Sequence, residues 1–253
     1  MSVLALRLGG PLQAWGSSQR LDHYRRTERF PTKSGVIGLL AAALGRPRSA
    51  ALDDLGALRF AVRIDRPGEV LRDFHTLSSL FDDKKRFAPG EGRLPTASGG
   101  YRSAATSTQV TERFYLADAC FVAGLEGDAA QLQELDDALR TPVFPLYLGR
   151  RSCPPDKPLR LGVYDGGLID VLASIPWQAN DPAQSATSIR CELVVENPAG
   201  DVELADQARS FDPLTRSYTR RRVSHHYVEV TIGHGHESAR STHDPMALLE
   251  EGD

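Results

Sequence analysis

The 253-residue sequence predicts an α+β fold, and three observations predict it. Strand-like runs that are apolar, or alternate apolar with charged residues, recur along the first two thirds of the chain. Two helix-like runs separate them, and the first, RFPTKSGVIGLLAAALG at residues 29–45, carries hydroxyl residues at its start and a glycine at its end. The elements follow one another as β-α-β, then β-α-β again.

In order, VLALRL (residues 3–8) is β-prone and stops at Gly9-Gly10-Pro11. Residues 33–44 form a helix with Thr32 or Ser34 as N-cap and Gly45 as C-cap. RFAVRIDR (59–66) alternates like a half-buried strand, and VLRDFHT (70–76) is expected to pair with it through a turn at Pro67-Gly68. TERFYLADACFV (111–122) reads as one strand. Residues 129–139 read as an amphipathic helix with Leu132, Leu135 and Leu139 at helical spacing. VFPLYL (143–148) then closes the second unit. This is the ferredoxin-like plan, shared with RNA-recognition motifs.

Residues 77–110 interrupt the plan with a long Gly-, Pro- and Ser-rich insertion, and a loop of that length inside a compact domain is usually functional or disordered. After Pro158 the pattern weakens, with strands expected at 191–196 and 224–232 and a loop at 180–188. The expected division is a domain over 1–158 bearing the insertion, a smaller β-rich part over 159–236, and a tail over 237–253.

Composition narrows the class. Hydrophobic residues make up 41% and charged residues 25%, ordinary for a globular chain. The three cysteines, Cys120, Cys153 and Cys191, are odd in number and widely spaced, which argues for a reducing compartment and against a disulfide framework or a cysteine-based zinc site. The longest apolar run, residues 36–44, is far short of the roughly 20 residues a membrane span requires. With no basic leader at its start, the chain is expected to be cytoplasmic and without a membrane partner. The net charge of −3 argues against nucleic acid, but its distribution does not: residues 1–48 hold eight Lys or Arg against two acids. Attraction for phosphate depends on that local field.

Four groups are candidates for contact with RNA. Thr32, Lys33 and Ser34 stand at a helix start, where unpaired amides and the positive dipole end favour phosphate, although the GxxxxGK[ST] order of a nucleotide-binding loop is lacking. The same hydroxyls could simply cap a core helix. Gly149, Arg150, Arg151 and Ser152, with Tyr147 before them, form a Gly-Arg-Arg loop suited to forked phosphate contacts, or to plain solvation. Arg20, Tyr24, Arg25, Arg26, Arg29 and Phe30 interleave charge with flat rings, as single-stranded RNA requires. In and beside the insertion, Lys84, Lys85, Arg86, Phe87, Arg93, Tyr101 and Arg102 do the same, and Gln109 and Arg113 follow. No metal, cofactor or catalytic set is expected. His225 and His226 fall on opposite faces of a strand, and His234, His236 and His243 read as tail.

The order LRLGGPLQAWG (6–16), RFPTKSGVIGLLAAALG (29–45), RDFHT (72–76), ERFYLADACFVAGL (112–125) and YLGRRSCPP (147–155) resembles the CasD family of subunits of the type I-E CRISPR surveillance complex, Cascade, within the RAMP superfamily. The resemblance implies a ferredoxin-like core with a protruding thumb, here residues 77–110. It implies a non-catalytic subunit that holds the 5′ handle of the CRISPR RNA, caps the backbone filament beside the CasC subunit, lies near the large CasA subunit and meets target DNA only through the assembly. A related branch, in type I-C systems, cuts precursor RNA with a Tyr/Lys/His set. Tyr24, Lys33 and His75 supply those residue types, so a metal-independent endoribonuclease is the alternative.

Overall fold

The computed structural model describes residues 1–17, 24–78, 100, 108–179 and 187–232. Its first elements are β1 (Ser2–Gly9), β2 (Leu12–Gln13), β3 (Tyr24–Arg25), α1 (Lys33–Ala43), α2 (Asp53–Gly56), β4 (Arg59–Arg66), β5 (Glu69–Ser78) and β6 (Thr108–Ala117). There follow β7 (Cys120–Gly127), α3 (Ala129–Arg140), β8 (Arg160–Asp165), α4 (Leu168–Ser174), β9 (Ser188–Glu196), β10 (Val202–Ser210) and β11 (Ser217–Thr231).

Seven strands form an antiparallel sheet in the order β10-β11-β9-β4-β7-β1-β8. Two β-α-β units, β1-α1-β4 and β7-α3-β8, interleave within it. Alternation along β1 shows how it is covered on both faces: Leu4, Leu6 and Leu8 enter the core beneath α1 and α3, while Val3 and Ala5 enter a second core beneath α4. Two-sided burial is why β1 reads as a continuous apolar run. Arg63, fully buried on the α4 side, is held by both Asp65 carboxylate oxygens (2.7 and 2.9 Å) and donates to the Leu172, Ile175 and Pro176 carbonyls, tying the end of α4 to the sheet.

Helix α1 begins at Thr32, whose hydroxyl oxygen accepts the Gly35 amide, and Gly45 follows its end at φ +73°. Helix α3 begins at Asp128 and buries Leu132, Leu135 and Leu139. Its buried Asp136 receives Arg160 Nε at 2.7 Å, fixing the helix to β8.

Several sequence expectations need correction. Residues 70–76 lie in β5, which pairs with β6 and not with β4, because β7 and β9 already occupy both edges of β4. The run 111–122 is two strands, broken where Asp118 adopts φ +56° and its amide bonds the Pro11 carbonyl. Residues 143–148 are not a strand: the Val143 and Phe144 amides bond the Ala43 and Ala42 carbonyls at the end of α1, between Pro142 and Pro145, which have no amide to give a ladder. The strand position beside β1 belongs to β8. After Pro158 the chain adds strands to the same sheet, and both β10 and α4 lie outside the strands expected there.

A second, smaller sheet centres on β6, with β5 along one edge and β2 and β3 along the other. The ladder of β5 with β6 continues to Ser78 opposite Thr108, the two described ends of the expected thumb. Most of the thumb segment, and the expected tail over 237–253, lie outside the described residues.

Candidate nucleic-acid interface

The smaller sheet gathers the cations. Strand β3 runs parallel to β6 with Tyr24 opposite Glu112 and Arg25 opposite Arg113, and β5 places Asp73 opposite Arg113 on the other edge. Residues opposite one another share a face, so Arg25, Arg113 and, two residues on, Tyr115 lie on one side of this sheet. Tyr24, half exposed at 51%, lies on the other side.

The Gly-Arg-Arg loop packs beneath that face. Gly149 sits at φ +85°, where a side chain would run into the Ala14 carbonyl, so only glycine allows the approach. The Ala14 amide bonds the Leu148 carbonyl, and the Cys153 amide closes the loop on the Arg150 carbonyl at 2.9 Å. The Arg150 guanidinium lies 4.6 Å from the centre of the Tyr115 ring and donates to the Arg25 carbonyl at 2.7 Å. Its Nη1 is buried with no hydrogen-bond partner among the described residues. Arg150 is therefore a prop under β3, whereas Arg151 and Ser152 are exposed. Tyr115 is not among the residues the sequence nominated, although its place two positions after Arg113 in a strand was the available signal.

The start of α1 is different. Thr32, Lys33 and Ser34 are buried, Lys33 to 1% exposure. The Lys33 ammonium reaches both Glu196 carboxylate oxygens (3.1 and 2.8 Å), and its amide donates to Asp206 at 2.8 Å. Asp206 in turn holds Arg221 at 2.7 and 2.9 Å. Burial lowers the Lys33 pKa, with Glu196 opposing. The expected phosphate site is thus filled by carboxylates of the chain itself, and its amide and lysine do not face an incoming strand. Phe30 likewise packs against the main core.

Arg26 and Arg29 are exposed, Arg25, Arg113 and Tyr147 are half-buried, and Gln109 stands opposite Leu77 in the β5–β6 ladder. Arg20, Arg102 and the basic and aromatic residues between 84 and 101 lie outside the described residues. Tyr24, Lys33 and His75 do not converge: Lys33 is interior, and the registers put Tyr24 with Phe74 and Glu112 but His75 with Thr111, on alternate faces. Among the described residues no cluster of His, Cys, Asp and Glu could hold a metal, and no helix is long and apolar enough to cross a membrane. Burial pushes the Cys120 thiol up to about 12 and Cys191 to about 11.

Known proteins resemble this chain along most of its length. The family described as CRISPR-associated protein (Cas_Cas5) matches residues 3–224. The CRISPR system Cascade subunit CasD of Escherichia coli (strain K12) is 39% identical over 175 residues, 64% of this chain and 70% of that protein. Among solved structures, a chain of a CRISPR RNA-guided surveillance complex superposes with a TM-score of 0.75 at 35% identity, covering 90% of this chain and 91% of that one. A crystal structure of a Cas protein gives 0.68 at 35% identity, covering 91% and 98%.

Proposed function

Because the chain belongs to the Cas5 family of CRISPR-associated proteins, we propose that it is the Cascade subunit that holds the 5′ handle of the CRISPR RNA without cutting it. The observation that carries this reading is the meeting of Arg25 and Arg113 on one face of the small sheet, propped by Arg150 and bordered by exposed Arg26, Arg29 and Arg151. Guanidinium groups brought side by side repel one another, and the one carboxylate opposite them, Asp73, leaves the face net positive, which favours a polyanion there. Two tyrosines add flat groups that suit unstacked bases: Tyr147, just before the arginine loop, and Tyr24, exposed on the opposite face of the small sheet.

The strand order β8-β1-β7-β4 with its two helices supports a ferredoxin-like core of the RAMP type. The β5–β6 hairpin is the base of the thumb, which lies against the CasC backbone subunit, so that this chain caps the filament. The CasA subunit docks nearby, and target DNA is met only through the assembly. The protein works in the cytoplasm, and its three buried, unpaired cysteines accord with that.

The separation of Tyr24, Lys33 and His75 supports binding without cleavage. The test is incubation of the purified chain with end-labelled repeat RNA in EDTA. Intact RNA retained on a filter is the expected result. A discrete product that disappears in His75→Ala would establish the endoribonuclease instead.

A further inference from the structure

The strands after Pro158 send two carboxylates into the start of α1. Glu196 of β9 binds the Lys33 ammonium and also accepts the Phe60 amide of β4 at 3.2 Å. Asp206 of β10 accepts the Lys33 amide and is held by Arg221 of β11. Three of the four charged groups lie in the interior, Lys33, Asp206 and Arg221 having side chains 1–3% exposed, and the fourth, Glu196, is partly buried at 19%. Arg221 Nη1 has no hydrogen-bond partner among the described residues. Desolvating two such pairs is costly, and apolar side chains of similar volume would often serve stability as well or better. Stability alone therefore gives no reason for this arrangement, whereas directional bonds from β9 and β10 to one helical turn, with β11 holding Asp206 in place, do fix a geometry.

That turn touches the segment bearing the interface cations. Thr32 Oγ1 donates to the Gly16 carbonyl at 3.2 Å, and a side chain on Gly35 would meet the Trp15 ring at 2.7 Å. Trp15 is bonded across to the other side of the segment: its amide donates to Thr27 Oγ1 at 2.9 Å, and its carbonyl accepts the Glu28 amide at 2.7 Å. Thr27 and Glu28 lie between Arg26 and Arg29.

We propose that the buried Lys33–Glu196 and Asp206–Arg221 pairs are a brace by which the C-terminal strands position the 24–29 segment, through α1 and Trp15, for RNA. Lys33 and Asp206 are thus positioning residues. The purpose assigned to the brace rests on the RNA-holding reading, but its mechanical action does not.

Both are tested with Lys33→Met, the double variant Lys33→Met/Glu196→Gln, and Lys33→Arg, each compared with the wild-type chain for melting temperature, amide exchange and handle-RNA affinity. The single variant strands the partly buried Glu196 carboxylate and loses stability; the double variant, with no unpaired charge, recovers most of it. In the double variant the Trp15 and Glu28 amides are expected to exchange about tenfold faster, with the central strands unchanged. RNA affinity falls by at least about fivefold, the lower end for coupled sites, and Lys33→Arg restores both. Recovered stability with wild-type exchange at Trp15 and Glu28 would overturn the brace. Faster exchange with undiminished RNA affinity would uphold the brace and remove the 24–29 segment from the RNA interface.

Discussion

Two basic regions of this molecule are built from similar residues and end in opposite states. At the start of α1, amides, hydroxyls and a lysine are arranged as for phosphate, yet the anions are Glu196 and Asp206, 163 and 173 residues away in sequence. At the small sheet, Arg150 is engaged by the Tyr115 ring and a main-chain carbonyl, while Arg26, Arg29 and Arg151 stay at the surface. A helix start attracts an anion, but the nearest anion can belong to the chain itself, and then the cation serves the chain's own geometry. Exposure together with what each donor already bonds separates the two cases, whereas residue type does not.

That contrast can be broken from either side. The largest effect is expected at Lys33: Lys33→Met leaves the partly buried Glu196 without its ammonium and should cost about 3 kcal/mol, the lower end for a buried pair, with the melting temperature falling about 2–4 °C per kcal/mol. A calorimetric shift below about one degree would return Lys33 to the surface and to the phosphate reading. Next is Gly149→Ala, which forces a side chain against the Ala14 carbonyl at positive φ and should cost about 1–3 kcal/mol in chemical denaturation while also loosening the arginine loop.

A smaller effect, about 1 kcal/mol, is expected for Asp156→Asn, since Arg7 holds Asp156 at 2.5 Å and lowers its pKa below the ordinary 3.8. A depressed carboxylate contributes stability above its unfolded value and loses it as pH falls through its folded value. The wild type should therefore exceed the variant at neutral pH, and the gap should close below about pH 3.8. A gap that persists through acid unfolding would contradict the pairing. The smallest signal is at Cys120: with its thiol pushed up to about 12, alkylation at about pH 8 should be negligible until the chain unfolds, and rapid labelling of native protein would show the core to be open there.

Much of the core was legible in the sequence because its signals are local. Thr32 and Gly45 bracket α1, and β4 has the expected bounds, although its alternation misled about burial, since Arg63 and Asp65 are interior and the strand is covered on both faces. What escaped is decided by edges and partners. Nothing in VLRDFHT tells that both edges of β4 are taken, so its pairing with β6 could not be read. The apolar letters of VFPLYL outweighed its proline, although the proline and the unpaired carbonyls of α1 decide its conformation. At the candidate interface, the arginine loop and the Tyr24–Arg29 segment were visible as composition. The division of labour between Arg150 and Arg151 was not, because it depends on Tyr115 and the Arg25 carbonyl, both far from the loop in sequence.

The most direct measurement is the salt dependence of handle-RNA affinity for the wild-type chain and for Arg26→Ala/Arg29→Ala/Arg151→Ala. These arginines are exposed, so the folded chain should keep its melting temperature. If they neutralise phosphates, the variant binds more weakly and the slope of log affinity against log salt flattens by about 0.7 for each phosphate no longer neutralised, about two in all. An unchanged slope, with the variant fully folded, would place the RNA elsewhere on the molecule.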